Sequence, residues 1–389
     1  MIFKMLSKDF KNIIDRLSII VPKASSFAAL LGVQIIADKE KDTLSFRASD
    51  LEAYITINAN MRDVEIVDGG KVIIDLDCIK KLFPVEGWVT YERKCESFSA
   101  ANEKKKNRIR CSPETQDDDM VVFPENPADD SVIMEIPNRK DFITVLENLA
   151  PCLSVEQHKP IYTGYNFNSG KYGIIAIDGY HALSYFNPWS VKGKTFNFGV
   201  PGIACKQLKK IATNKTENSE LKVCFSGRHV HFVGDDFVLT QRIIEGNFID
   251  FSQTVEMNGS DYTVTLNCAE FLKIAKEYAK LNSKTPVLHC VECSGKLATE
   301  THSADFQTAD CMSIESGKLP DKLHIAFSAK YMADVLNVFK DTNTTISGGK
   351  EIYPWKILNE NYIALVTPMR LEKESKEFSE SYIKEAFCS

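Results

Sequence analysis

The sequence lacks any apolar run that approaches the ~20 residues needed to cross a membrane as a helix. Its opening stretch, MIFKMLSKDFKNIIDRLSIIV, has an apolar periodicity but carries charges throughout. A secretory signal needs an uninterrupted apolar centre and a small-residue cleavage site, and neither is present. We therefore expect a cytoplasmic protein. Its 389 residues, 44% hydrophobic and 26% charged, are typical of a globular chain with two or three domains.

The sequence also lacks the motifs of common enzyme classes. It has no Gly-X-Ser-X-Gly elbow, no paired carboxylate motif and no Gly-Lys-Ser/Thr loop, so neither hydrolase chemistry nor ATP hydrolysis is predicted. Metal-ligand spacing occurs in Cys290 and Cys293 (CVEC) and in His229 and His231 (HVH), but neither pair has the further ligands that zinc requires. We expect two thiols on a strand, two exposed strand histidines, and no metal or cofactor.

Disulfide signals are weak as well. The eleven cysteines are odd in number and scattered along the chain. In a chain of this length, that pattern favours a reducing compartment over a disulfide framework. Free thiols are therefore expected.

An internal repeat is the strongest positive feature of the sequence. A polar cap, an acidic-aromatic pair and helical apolar spacing recur in SKDFKNIIDRL, NRKDFITVLENL and NCAEFLKIAKEYAKL, about 130 residues apart. Each repeat has a second half of the same type, in IDLDCIKKLF, VPGIACKQLKKIA and FSAKYMADVLNVF. The segments YITINA and ELKVCFSGRHVHFVG predict strands, the latter as a hairpin with a Ser-Gly turn. We expect six helix-plus-strands half-units, paired into domains at 1–128, 129–255 and 256–371, with a tail at 372–389.

The segment AIDGYHALS (176–184) poses a specific question, because an Asp-Gly turn followed by Tyr180 and His181 is one form of a catalytic corner. The first repeat carries the same Ala-X-Asp pattern in FRASDLEAYITI. A corner that recurs favours a scaffold role, in which Asp178 caps the turn and Gly179 supplies a permissive backbone.

The net charge of −6 is unevenly distributed. The six predicted helices, 7–16, 78–83, 138–148, 204–215, 270–284 and 328–341, together carry +9, which leaves −15 for the rest of the chain. Lysines 273, 276, 280 and 284 share one sector of a helical wheel, and lysines 206, 209 and 210 share one face of another helix. A basic helical side without a base-reading motif suits sequence-independent binding to phosphates.

The chain resembles the bacterial sliding clamp, the beta subunit of DNA polymerase III, over nearly all of Met1 to Leu371. AIDGYHALS is similar to the family's Ala-Thr-Asp-Gly-His-Arg-Leu stretch, and RIIEGNFIDF to its Asp-Gly-X-Phe-Pro-Asp-Tyr stretch. IAFSAKYMADVL is similar to its Phe-Asn-X-X-Tyr-Leu helix start, and VTPMRL to its Met-Pro-Met-Arg-Leu terminus. The resemblance implies an α+β fold of three repeated clamp domains, each of two helix-plus-sheet half-units. It also implies a head-to-tail homodimer, a ring with helices inside and sheets outside, that encircles duplex DNA and catalyses nothing itself.

The resemblance further implies which residues contact DNA and partner proteins. The channel-facing basic residues would be Lys23, Lys80, Lys81, Arg139, Lys206, Lys209, Lys210, Lys273, Lys276 and Lys280. The family has a groove between its second and third domains that captures short linear motifs of the DNA polymerase III alpha subunit, the clamp loader and repair proteins. Carried over position by position, the groove would be formed by Tyr162, Ile177, Gly179, Tyr180, His181, Ala182, Ile249, Thr254, Val366, Pro368, Met369, Arg370 and Leu371.

The sequence departs from the family pattern in and beyond this groove. Tyr180, His181 and Ala182 replace the family's His-Arg-Leu, and Ile249 replaces a proline. Family chains usually end near MRL, and the tail at 372–389 has two interpretations, a frayed terminus or a segment that folds back into the groove. The run NEKKKNRIR (102–110), followed by DDD (117–119), is interpreted as a solvated edge hairpin, with a DNA-facing loop as the alternative.

Two other functions compete with a replicative clamp. A specialised clamp paralogue, carried by a mobile element or phage, would keep the ring and change its partners. A hydrolase using Asp178 and His181 would need a nucleophile and an oxyanion site that the motifs do not supply.

Overall fold

The computed structural model describes residues 1–111, 123, 131–156, 158–186, 189–193, 195–212, 219–257, 260–281, 286–303, 305–341, 343–349 and 352–387. These fall into two compact units. Unit 1 comprises Met1–Ile143, Trp189–Lys194 and Ile203–Ile243, and unit 2 comprises Thr144–Pro188, Thr195–Gly202 and Ile244–Ser389. Within the described ranges, no helix combines the length and apolar character that a membrane span requires.

Three sets of elements repeat one order, strand, helix and four strands, then strand, helix and three strands. The first set is β1 (Ile2–Leu6), α1 (Ser7–Leu17), β2 (Gly32–Asp38), β3 (Thr43–Ser49), β4 (Ala53–Asn58), β5 (Val64–Asp68), β6 (Gly70–Asp75), α2 (Leu76–Ile79), β7 (Trp88–Lys94), β8 (Ser97–Ala101) and β9 (Lys106–Arg110). The second is β10 (Ser131–Ile136), α3 (Arg139–Leu149), β11 (Gly164–Asn168), β12 (Ile174–Ile177), β13 (His181–Tyr185), β14 (Ser190–Val191), β15 (Asn197–Pro201), α4 (Ile203–Ile211), β16 (Leu221–Phe225), β17 (His229–Val233) and β18 (Phe237–Arg242), followed by α5 (Phe251–Met257).

The third set completes the repeat and confirms the predicted half-units. It consists of β19 (Tyr262–Asn267), α6 (Cys268–Tyr278), β20 (Val287–Cys293), β21 (Lys296–His302), β22 (Gln307–Met312), β23 (Ile314–Gly317), β24 (His324–Ser328), α7 (Ala329–Leu336), β25 (Asn343–Gly348), β26 (Trp355–Leu358) and β27 (Tyr362–Val366). A further helix, α8 (Lys373–Phe387), follows. The three-domain boundaries stay a prediction, because strands of the second repeat share sheets with both of its neighbours in sequence.

Each unit contains two antiparallel sheets. In unit 1 the strand orders are β5-β1-β7-β8-β9 and β14-β10-β16-β17-β18-β4-β3-β2-β6. In unit 2 they are β15-β11-β12-β13-β27-β26-β25-β19-β23 and β22-β21-β20-β24. Each nine-stranded sheet therefore joins two repeats edge to edge, through β4 and β18 in unit 1 and through β13 and β27 in unit 2.

Polar caps account for where several helices begin. Asn267 Oδ1 accepts a hydrogen bond from the Glu270 amide (3.0 Å), and Asp75 Oδ1 accepts from two amides at the start of α2. All six predicted helices are present, but α2, α4, α6 and α7 end earlier than predicted. The helices α5 and α8 were not predicted at all, because both lie outside the repeated pattern.

Two predicted hairpins are confirmed. Gly227 has a φ of +75° in the β16–β17 turn, a conformation that glycine adopts without strain. The basic run at 102–110 forms the β8–β9 turn and the edge strand β9, where Asn102 Oδ1 accepts from the amides of Lys104 and Lys105. The acidic run at 117–119 lies outside the described residues.

Neither interpretation of the tail is correct, because residues 373–387 form α8, which packs on β20, β21 and β22. Its Ile383 is 1% exposed and joins Val291, Cys293 and Ala298 in an apolar cluster. The expectation of free thiols is also wrong at Cys293, which is disulfide-bonded. Nine other cysteines in the described residues are free.

Candidate functional site

The Asp178–Gly179 corner is a capped turn. Asp178 Oδ1 accepts hydrogen bonds from the backbone amides of Tyr180 (2.7 Å) and His181 (2.9 Å). Gly179 has a φ of +100°, where an L side chain would be strained. In the first repeat, Asp50 Oδ1 caps its own turn in the same way, through the amides two and three residues later. The predicted roles of Asp178 as a cap and of Gly179 as a permissive backbone position are confirmed.

His181 lies buried between two carboxylates. Its Nδ1 is 3.1 Å from Asp178 Oδ1, and its Nε2 is 4.0 Å from Asp334 Oδ2 on α7. Neither contact has hydrogen-bond alignment, so both are electrostatic. The imidazole also stacks on Tyr331 of α7, with ring centroids 4.4 Å apart. His181 therefore holds α7 against β13 and presents no charge at the surface.

The two carboxyls beside His181 have opposite pKa shifts. Burial raises the pKa of Asp334, and the charges of His181 and Lys330 only partly oppose this. Burial also acts to raise the pKa of Asp178, but contacts with His181 and the two backbone amides outweigh it and lower that pKa. The closer contact with the imidazole and the two amide hydrogen bonds lower the pKa of Asp178, whereas burial dominates at Asp334.

This corner has no activated nucleophile among the described residues. Cys152 is the thiol whose pKa both carboxylates affect. Burial raises that pKa well above its ordinary value, and the charges of Asp334 and Asp178 raise it further. A nucleophilic cysteine needs the opposite shift, toward the thiolate. The arrangement therefore gives the hydrolase interpretation no support.

Side chains alternate between the two faces of a strand. The face of β12, β13 and β27 opposite to His181 carries an apolar set that we call the groove cluster. Its buried members are Ile175, Ile177, Ala182, Phe251, Ile363 and Leu365, and its partly buried members are Tyr162, Tyr172, Phe186, Phe248, Ile249 and Val255. Four predicted groove residues, Tyr162, Ile177, Ala182 and Ile249, thus come together in one cluster.

A cleft of about 550 Å³ borders the groove cluster. Tyr172, Phe248, Ile249 and Phe251 contribute apolar surface to it, and polar residues such as Lys171 contribute to its rim. A concave aromatic wall with a polar rim suits the capture of an apolar side chain from a peptide.

The other predicted groove residues lie outside this cluster, and His181 and Val366 are on the opposite face of the sheet. Tyr180 is 58% exposed at the turn, and Val366 is buried on the His181 side of the sheet. Thr254 lies on α5, where its Oγ1 donates to the Asp250 carbonyl (3.0 Å). Residues 368–371 follow β27, and the Met369 amide donates to the Ala326 carbonyl (2.7 Å), which places this segment beside β24.

Sequence reasoning missed the helix that completes the groove cluster. Phe251 begins α5, and the preceding Asp250 caps it by accepting from the Gln253 amide (3.1 Å). An aspartate three residues before a glutamine is a recognisable helix start. No sequence pattern predicts that Tyr172 and Phe248 belong to this cluster, because the fold brings them together from distant segments.

The predicted DNA-contacting lysines are exposed. In unit 1, α4 buries Ala204, Leu208 and Ile211 and exposes its lysines. In unit 2, the lysines of α6 and its C-terminal turn line a shallow cleft shared with Lys340. The exposed members of the predicted set are Lys23, Lys80, Lys81, Lys206, Lys209, Lys210, Lys273, Lys276 and Lys280.

Arg139 does not belong to this exposed set. It is 1% exposed, its guanidinium lies 5.2 Å from the centre of the Phe237 ring, and burial lowers its pKa. Arg139 therefore packs against Phe237 of β18, whereas its neighbours Lys140 and Asp141 are exposed.

The HVH prediction also needs correction. His231 is buried and contacts the hydroxyls of Ser226 (2.7 Å) and Thr240 (2.9 Å), so only His229 is partly exposed. The alternation of β17 places both histidines on one face, as predicted, but His231 is buried there by contacts that include Ser226 and Thr240.

Comparisons with known proteins identify the fold. No family model matches the chain. The "Beta sliding clamp" of Bacillus subtilis (strain 168) is 24% identical over 229 residues, which span 56% of this chain and 59% of that relative.

Solved structures match over nearly the full chain. The DNA polymerase sliding clamp from Bacillus subtilis matches with a TM-score of 0.84 at 18% identity, over 96% of this chain and all of that one. The beta subunit of the Streptococcus pyogenes DNA polymerase matches with a TM-score of 0.83 at 14% identity, over 95% of this chain and all of that one. The chain thus has the fold of the bacterial beta sliding clamps.

Proposed function

We propose that this chain is a DNA sliding clamp, a ring-shaped homodimer that encircles duplex DNA and tethers a DNA polymerase and other partners to it. It has no chemistry of its own in this role. The fold likeness and the exposed helix lysines support the proposal. The observation that carries it is the pairing of strands between repeats.

The repeats join each other through equivalent strands. In unit 1, β4 of the first repeat pairs with β18, the last strand of the second. In unit 2, β13 of the second repeat pairs with β27, the last strand of the third. By equivalence, β22 of the third repeat and β9 of the first are the remaining pair. Both are edge strands in the described part of the chain.

A second copy of the chain supplies the partner for each free edge. If β22 of one copy pairs with β9 of the other, the same contact forms twice, and the assembly closes as a homodimer. Edge strands expose unpaired amides and carbonyls, so this closure also removes two open sheet edges from each chain.

The two observed joints share one register. Tyr54 opposes Thr240, and Ala182 opposes Leu365. Tyr54 and Ala182 occupy the same position in their hairpins. Each is the first residue to pair after a four-residue loop, in β3–β4 and β12–β13, respectively. Their partners Thr240 and Leu365 are also equivalent. Each is the third residue to pair after the four-residue loop of its own hairpin, β17–β18 or β26–β27.

The same rule fixes the register of the proposed subunit joint. Gln307 is the first residue paired after the β21–β22 loop, and Arg108 is the third after the β8–β9 loop. Gln307 of one copy should therefore oppose Arg108 of the other. Opposed residues of antiparallel strands have Cα atoms about 4.5–5.5 Å apart, within the range that a disulfide spans.

The test is a cysteine cross-link between the variants Arg108→Cys and Gln307→Cys in one chain. Mild oxidation should give a covalent species of twice the 43.8 kDa chain mass, and light scattering of the wild type should give the same mass. When oxidised on DNA, the ring should stay on circular duplex in high salt and leave linear duplex by its ends.

The matched control is Arg108→Cys with Thr308→Cys, because the next residue along a strand points to the other face. This pair and each single variant should cross-link poorly. A monomeric wild type, together with no cross-link in either double-cysteine variant, would reject the ring.

A specialised clamp with an altered partner set is the second candidate function. His181 stands where the family has an arginine, and here it is buried between Asp178 and Asp334 and offers no exposed cation. Weak binding of standard clamp-binding peptides to an intact dimer would favour this candidate. Normal binding would favour a replicative clamp.

A further inference from the structure

Three metal-ligand side chains meet on the face of the β20–β21 hairpin that α8 covers. The hairpin register places His289 opposite Glu300, and His302 lies two residues further along the same face. One ligand atom from each of His289, Glu300 and His302 lies within 4.8 Å of the others. The sequence motifs did not reveal this group, because its members come from two strands.

The carboxylate of Glu300 is fully buried without a basic partner among the described lysines and arginines. Its side chain is 0% exposed, and its one ion-pair contact is with His302 Nδ1, at 3.1 Å. Gln307 Nε2 donates to Oε1 (3.0 Å), and Ser379 Oγ of α8 donates to Oε2 (2.6 Å). Burying a charge is costly unless it is paired or coordinates a metal. A divalent cation would supply the missing charge.

A hydrogen-bonded chain leaves one nitrogen of His289 as an unused lone pair. The Glu380 carboxylate accepts from His324 Nδ1 (3.0 Å), so the Nε2 of a neutral His324 is an acceptor. That Nε2 lies 3.0 Å from His289 Nδ1, which must then carry the proton. His289 Nε2 is left unprotonated, buried and without a hydrogen-bond partner.

This arrangement matches the supporting interactions of known metal sites. A metal-bound histidine usually donates its other ring N–H to an acceptor that fixes its tautomer and orientation. His324, held by Glu380, provides that acceptor for His289. Glu300 is likewise oriented by Gln307 and by Ser379.

We propose that His289, Glu300 and His302 bind a divalent transition metal ion of the zinc class beneath α8. Two imidazoles and one carboxylate are a donor set that zinc accepts, with a fourth position left for water. Zinc bonds of about 2.0–2.2 Å separate tetrahedral ligand atoms by roughly 3.3–3.6 Å. The three side chains therefore need to close by about 1.5 Å at most.

Metal binding would strengthen the attachment of α8. Ser379 and Glu380 belong to α8 and contact Glu300 and His324, respectively. Phe378 lies edge-on to the His302 ring, with centroids 5.0 Å apart. An ion that fixes the histidines and the carboxylate also fixes the surface on which the helix rests.

The test uses the full chain, freed of metal with a chelator and titrated with Co²⁺ and then Zn²⁺. We expect one Co²⁺ per chain with visible ligand-field bands, displacement by one Zn²⁺, and a higher melting temperature with Zn²⁺. Glu380→Ala removes the acceptor of the His324 hydrogen bond and should weaken binding about 10- to 100-fold, as the loss of such supporting interactions does in other metal sites. His289→Gln and His302→Gln should weaken it more.

The matched control is His229→Gln, which removes a strand histidine outside the cluster and should bind as the wild type does. His302 is 26% exposed, so its variant remains informative if His289→Gln does not fold. Circular dichroism of the metal-free proteins checks folding. Absence of stoichiometric Co²⁺ or Zn²⁺ uptake by the wild type, or equal affinity in His302→Gln, would overturn the proposal.

Discussion

A single imidazole separates Asp178 from Asp334, and the pKa values of the two carboxyls move in opposite directions. The lowered pKa of Asp178 means that its charged form favours the fold, so this contribution is lost as the pH falls through the folded-state pKa. The raised pKa of Asp334 has the reverse effect. Its contribution is present below the ordinary value of 3.8 and is lost as the pH rises through the folded-state pKa.

Asp334→Asn should therefore stabilise the protein at neutral pH. The free energy of unfolding of the variant, relative to wild type, should rise between about pH 4 and pH 7. The slope cannot exceed about 1.4 kcal/mol per pH unit for one proton. Urea unfolding across this range measures it, with Asp341→Asn as an exposed control on the segment after α7. A variant curve parallel to that of the wild type would contradict the raised pKa.

At the residue scale, repetition predicted the role of Asp178 but not the burial of His181. The first repeat contains an equivalent cap at Asp50, so the sequence alone carried that information. The burial of His181 depends on Tyr331 and Asp334, which follow it by about 150 residues and lie on α7. A local sequence pattern cannot predict a contact between residues so far apart in the chain.

At the element scale, α8 is a structured part of unit 2. Only Ser379 and Ile383 are fully buried along its 15 residues, so its attachment relies on few side chains. Such a narrow apolar stripe is hard to distinguish from a charged, solvated tail by periodicity. The apolar face of β20 and β21, and not the helix sequence, decides where α8 lies.

Ile383→Ala should weaken the docking of α8. The side chain packs on Val291, Cys293 and Ala298, and truncating a buried isoleucine typically costs about 2–5 kcal/mol. Hydrogen exchange of the α8 amides should accelerate, and the free energy of unfolding should fall. Phe387→Ala removes a residue that is 37% exposed and serves as the control. Unchanged protection of α8 in the Ile383 variant would contradict the packing described.

The β20–β21 hairpin was not predicted, although its turn is local in sequence. Ser294 and Gly295 have φ values of +51° and +79°, which place a two-residue turn between Cys293 and Lys296. This turn fixes the register that brings His289 opposite Glu300. The CVEC motif suggested Cys290 and Cys293 as metal ligands. The proposed ligands are instead His289, Glu300 and His302, which the adjacent turn at Ser294 and Gly295 brings together.

At the scale of the whole molecule, the basic charge that the proposed function requires is exposed on helices. Exposed lysines lie on α4 in unit 1 and on α6 in unit 2, although the chain carries a net charge of −6. Phosphate contacts of this kind give affinity without sequence preference and make it depend on salt.

Replacing Lys206, Lys209 and Lys210 together by alanine should weaken binding to duplex DNA. The slope of log affinity against log salt should become shallower, by up to about 0.9 for each phosphate that the protein no longer neutralises. Titration of a short duplex at several salt concentrations measures this slope. The matched control replaces three other exposed lysines of unit 1, Lys39, Lys41 and Lys71. Equal effects of the two triple variants would mean that only net charge matters.

The sequence by itself determined the repeat, the six helix-plus-strands half-units, the cap at Asp178 and the basic helix faces. Each of these depends on interactions within one element or one turn, which local spacing records. The tertiary structure alone decided the groove cluster, the burial of Arg139 and His181, the docking of α8, and the meeting of His289 with Glu300 and His302. These depend on side chains from distant segments, whose approach is set by the packing of sheets and not by any local pattern.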